Sequence, residues 1–146
     1  MVGLSLLENS MKDYTASLKD GRAIFIPSWP VDVALENLAQ ASKCLGTESV
    51  INISKLCIPT VIVAIMQSED PKLTSALIKH FICQVRIDGQ KISPETINKM
   101  FEGDLAVVTE LFAHVIHSQY SDFFVLGLVK ETSPEKQSQE KLPSSP

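Results

Sequence analysis

The chain has little of what most catalytic or membrane machinery requires. Its six glycines are scattered, each near a helix end or turn, so no glycine-rich loop can cradle a phosphate. No G-x-S-x-G elbow presents a nucleophile. Cysteine is sparse and odd in number: Cys44, Cys57 and Cys83 lie far apart, which fits a reducing compartment with thiols used as small apolar side chains. Positive charge is in deficit, with 13 Lys and Arg against 17 Asp and Glu and a net charge of −4. Such a chain gains nothing from a phosphate field, which argues against DNA or RNA as a partner. No basic amphipathic stretch suits a membrane surface. The longest apolar run, Leu56 to Met66, falls well short of the roughly 20 residues of a bilayer span. The first residues, MVGLSLLENSMKDY, lack the cationic start and full apolar run of a secretory leader.

Apolar residues make up 45 % of the 146, enough for one domain with a real core. No internal repeat is visible. The stretch from Lys130 on is rich in serine and proline and poor in apolar side chains. It cannot offset its own ordering entropy, so 129–146 read as a disordered tail. Residues 1–20 read as a short helix closed by Gly21 or a loose arm, which leaves 21–128 as the compact part.

Within it, Arg22–Pro27 reads as an extended edge segment ended by Pro27. The next stretch starts a helix, with Ser28 a candidate N-cap, Pro30 in the first turn and Gly46 at the C-terminus. Val31, Leu35, Leu38, Ala41 and Leu45 share its apolar face. Pro59 breaks or kinks the unit after Thr47, and the half beyond it is apolar nearly all round, as a central buried element would be. Asp70-Pro71 opens another helix with an inner stripe of Leu73, Leu77, Phe81 and Val85. Asp88-Gly89 is a turn pair, at a hairpin tip or between helices. Ser93 with Pro94 predicts a helix closed by Gly103. Asp104 then caps a last one whose apolar face is Leu105, Val108, Phe112, Val115 and Ile116. The class is mainly α: a small bundle-like domain of five or six short helices with minor extended segments.

Reactive side chains are few. His80 and Cys83, with His114 and His117, form two i, i+3 pairs that a tetrahedral zinc ion could use. His80 and Cys83 fall outside the main apolar stripe and His117 lies on the polar face, so boundary histidines and a packed thiol are the plainer reading, with no metal. Ser118, His117 and Asp122 are sequence neighbours, whereas triads assemble from separate elements. The residues call for no cofactor and no enzymatic activity. A mildly acidic, apolar-rich chain with a stiff aromatic joint suits binding to another chain through an apolar groove or patch.

Five stretches in order, FIPSW (Phe25–Trp29), ALENLAQASKCLG (Ala34–Gly46), VRIDGQKI (Val85–Ile92), FEGDLAVVTELFAHVI (Phe101–Ile116) and YSDFF (Tyr120–Phe124), resemble the tail assembly chaperones of long-tailed bacteriophages. The resemblance covers roughly residues 22–125. It implies a non-enzymatic helical protein of the host cytoplasm that coats the tape-measure protein, keeps it soluble, and is displaced as tail-tube subunits polymerise. The contact set it suggests is Phe25, Trp29, Phe112, Tyr120, Phe123 and Phe124. Core packing competes as the role of each, most strongly for Phe112. For Trp29 the leading role is a hydrophobic staple on the first turns of its own helix. Homo-oligomerisation stays open. So do an adaptor that binds one folded partner and a structural component of a phage particle.

Overall fold

The computed structural model describes residues 13–129, and there the chain opens on a strand. Tyr14–Ser17 (β1) pairs antiparallel with Ala23–Ile26 (β2), Tyr14 opposite Ile26 and Ser17 opposite Ala23. Over these residues a strand stands where a short helix or loose arm was expected before Gly21; the rest of that arm, and the expected tail beyond residue 129, lie outside the described residues. Tyr14, Ala16 and Leu18 point inward with period two, and Asp20-Gly21 turns the chain into a hairpin instead of closing a helix. The extended segment expected at Arg22–Pro27 is β2, with Ile24 and Ile26 in the core and Phe25 on the other face.

Pro30 stands before the first helix, Val31–Leu45 (α1), and no side chain caps it, so Ser28 does not act as predicted. The apolar face is also rotated from the expected one. Ala34, Asn37, Leu38, Ala41, Cys44 and Leu45 face inward, while Val31 and Leu35 are 75 % and 59 % exposed. Gly46 ends α1 and starts Thr47–Ile53 (α2). Pro59 then does what a helix-interior proline must. It falls in the first turn of a separate helix, Ile58–Met66 (α3). Only Val61 and Ala64 of α3 are buried, and Met66 is 79 % exposed, so this is a surface helix and not the central element its composition suggested.

Asp70 accepts the Leu73 N–H at 3.2 Å and opens Pro71–Ile82 (α4), as its sequence predicts. The buried side of α4 is Thr74, Leu77, Ile78, Phe81 and Ile82, and Leu73 is exposed. Arg86–Ile87 (β3) and Gln90–Lys91 (β4) form a hairpin with Asp88 and Gly89 both at positive φ, the primed turn that fits strand twist. β3 pairs with β2, giving an antiparallel sheet in the order β1-β2-β3-β4. The helix expected from Ser93 is reduced to Ile97–Met100 (α5), preceded by a turn in which Ser93 Oγ and Thr96 Oγ1 meet at 2.8 Å.

The central element is Leu105–Phe124 (α6), buried on every side from Thr109 to Ile116. α2, α3 and α4 pack on it, and α1 packs on α2 and α4. A short π-helical turn, Val125–Val129, follows. Asp104 precedes α6 without capping it through its side chain; its carboxylate instead reaches Arg22 at 3.5 Å. The described residues thus form a mainly α bundle of six helices with one small sheet at its side.

Candidate interaction surfaces

The joint between β2 and α1 is held by α6. Gln119 accepts the Trp29 N–H at Oε1 (3.1 Å) and donates from Nε2 to the Pro27 carbonyl (2.9 Å), so one amide fixes both sides of Ser28. The Trp29 ring stands edge-on to Phe81 of α4 at 5.1 Å and to Tyr120 of α6 at 6.2 Å. The Tyr120 hydroxyl donates to the Ala34 carbonyl at 2.7 Å, tying the first turn of α1 to α6. Trp29 therefore fastens the joint to two other helices. These ring contacts go beyond the staple expected on the first turns of its own helix.

The six aromatic residues expected as a contact set separate into two groups. Phe112 is fully buried, and Tyr120 and Phe124 are 2 % and 7 % exposed. They are core residues because α6 is the central helix, a position that the aromatic content of its sequence does not reveal. Burial also pushes the Tyr120 phenol well above the ordinary tyrosine range. Phe123 is 54 % exposed. Trp29 and Phe25 are half-buried, the latter with the Arg86 guanidinium 5.9 Å from its ring centre.

The larger open apolar surface lies elsewhere. Ile62, Ile65 and Met66 of α3 face Leu105, Ala106 and Thr109 of α6 across a groove of about 340 Å³. Ile65, Leu105 and Thr109 are shared with a second hollow of about 270 Å³, floored by Ile78 and Ile82 of α4 and by Phe101. Leu105 is 74 % exposed. Sequence reasoning missed this groove because it assigned both helix faces to the core. The signal was present: a helix apolar all round carries more apolar surface than one buried side can take up. A third apolar surface is the end of α6 and the turn beyond it, where Phe123, Val125, Leu126 and Leu128 are exposed.

The histidine pairs do not converge. His114 and His117 lie where β1 and α2 meet α6. The Tyr14 hydroxyl and His114 Nδ1 share a hydrogen bond at 3.0 Å, and His114 Nε2 lies 3.9 Å from Glu110 Oε2. His117 Nδ1 meets the Ser54 carbonyl at 2.8 Å. His80 is exposed on α4 and Cys83 half-buried at its end. Among the described residues no three or more His, Cys, Asp or Glu are grouped to hold a metal ion. Glu110 accepts the Lys19 N–H at 2.9 Å, so the histidine–carboxylate cluster anchors the first hairpin to α6. Burial holds the His114 pKa below the ordinary histidine value, and His117 adds to this; Glu110 works in the opposite sense. Ser118 donates to the Val115 carbonyl of its own helix.

Fold and surface together define a class: a small, mainly helical protein with apolar grooves open to solvent. The sequence model of the family described as phage tail assembly chaperone protein, TAC, matches residues 20–130, and the chain belongs to that family. No match was found among curated proteins or solved structures. The family serves tail assembly as chaperones and is not a catalytic one, which implies binding to phage tail proteins in general. Among the described residues no helix is long and apolar enough to cross a membrane.

Proposed function

We propose that the chain binds the tape-measure protein in the host cytoplasm and keeps it soluble until tail-tube subunits polymerise around it. The observation that carries this reading is the open groove between α3 and the start of α6. Met66 and Leu105, both more than two-thirds exposed, are the largest uncovered apolar side chains beside it. An amphipathic client helix laid along such a groove is a standard mode of helix recognition. Fully burying a side chain of this size is worth about 1.5–3 kcal/mol. A few such contacts hold a client segment yet leave it displaceable by a closing tube, and many copies along one client supply avidity. Of the aromatic residues, Phe123, Trp29 and Phe25 remain candidate contacts, and Phe112, Tyr120 and Phe124 support them from within.

The test is co-expression with the tape-measure protein, comparing the native chain with the double variant Met66→Asp, Leu105→Asp. The native chain keeps the client in the soluble fraction. The variant keeps its helical circular dichroism and loses the client. A variant that still solubilises the client removes the groove from the mechanism; an insoluble client with the native chain removes the reading itself. Mass spectrometry of finished particles separates a departing chaperone from a retained structural component.

A further inference from the structure

A second groove, on the opposite side of α4 from the core, differs from the first in charge. The outward face of α4 presents Ala76, Lys79 and His80, and the turn that ends it continues this stripe with Cys83 and Gln84. This stripe floors two hollows, of about 540 and about 400 Å³, that share His80 and Gln84. One wall is the stretch from Lys91 to Ile97, and the other runs from the Trp29 joint into α1. The floor extends eight residues, or roughly 12 Å at the rise of an α-helix, about two turns of a helix laid along it.

The protein as a whole is acidic, but no carboxylate lines either hollow. Lys79 and Lys91 both line the first, and neither ammonium has an ion-pair or hydrogen-bond partner among the described residues. Glu95 is the acidic group felt at Cys83, where the two lysines oppose it. Two unpaired cations beside the apolar lining of Ala76, Cys83, Pro94 and Ile97, with the half-buried Trp29 at the other end, suit an amphipathic segment that carries carboxylates beside its apolar positions.

We propose that this groove takes an acidic amphipathic helix of a tail protein, about two to three turns long, with its carboxylates on Lys79 and Lys91. The proposal rests on the chaperone reading and adds a second, charge-selective contact to the uncharged α3–α6 groove. The two lysines select the client segment and steer its approach, while the apolar side chains among the lining hold it.

The only tryptophan of the chain lines this groove, so its fluorescence reports occupancy directly. The native chain is titrated with two synthetic peptides of about four helical turns. They share leucines at helical spacing, and one carries glutamates where the other carries lysines. The acidic peptide shifts Trp29 emission and binds less tightly as salt rises. The basic peptide produces no shift. Lys79→Glu with Lys91→Glu, folded by circular dichroism, weakens the acidic peptide by about tenfold or more. Equal responses to both peptides, no response to either, or unchanged binding by the lysine variant overturns the proposal. The Met66→Asp, Leu105→Asp variant is titrated alongside. It retains acidic-peptide binding, so failure of one groove is distinguishable from failure of the other.

Discussion

Gln119 satisfies a donor and an acceptor that flank Ser28, which an amide can do and an ionised carboxylate cannot. Gln119→Glu keeps an acceptor for the Trp29 N–H but sets a carboxylate oxygen against the Pro27 carbonyl. The expected cost is about 1–3 kcal/mol, read from urea midpoints, with a red shift of Trp29 emission as the joint loosens. His114 gives a pH prediction of definite sign. Its pKa in the folded chain lies below the ordinary histidine value because burial disfavours the charged ring. The unfolded chain therefore binds the proton first. Stability from this group is complete above the ordinary histidine pKa and is lost as pH falls below it. Urea midpoints measured between about pH 7.5 and about pH 5.5 fall for the native chain. The fall is smaller in His114→Asn, which offers Tyr14 an amide oxygen without a titrating ring.

Helix ends and turns were the most legible elements, because their signals are local. Asp70-Pro71, Pro59, Gly46 and Asp88-Gly89 each act within a few residues of chain, and each starts, ends or turns an element as its chemistry dictates. Burial was less legible. α1 and α3 are both amphipathic or apolar, and which side of each faces inward depends on neighbours far away in sequence. The strand at Tyr14–Ser17 was missed because its period-two pattern is only three inward residues long, and the partner that makes it a strand is β2. Gly46 carries the sharpest test at this scale. It joins α1 to α2 at φ +94°, ψ 139°, a region essentially reserved for glycine. An added Cβ meets nothing closer than Ser49 Oγ at 4.0 Å, so the cost of Gly46→Ala is conformational and not steric. Calorimetry should show destabilisation by about 1–3 kcal/mol, with no change in the helical spectrum of the folded state.

Across the whole molecule, one core runs the length of α6, and the grooves lie on the outer faces of helices that pack around it. This arrangement explains why the functional surface was only partly legible. Aromatic residues signal energetic weight, but whether that weight goes to the core or to a partner depends on which helix is central. The matching family was legible because the order of short segments survives uncertainty about their packing. The division of the aromatic set can be tested with two residues of the same type on the same helix. Phe112 lies at full burial against Phe81, with ring centres 5.3 Å apart. Phe112→Ala leaves a large cavity beside fixed neighbours and is expected to cost about 3–5 kcal/mol. For a domain with typical marginal stability of about 5–15 kcal/mol, that removes much of the margin. Phe123 is 54 % exposed and borders solvent, so Phe123→Ser should alter stability by less than about 0.5 kcal/mol. Chemical denaturation of the two variants measures that contrast. Co-expression with the tape-measure protein then asks a separate question of Phe123→Ser. A folded variant that retains less client marks Phe123 as a contact, whereas full retention confines binding to the grooves beside α3 and α4.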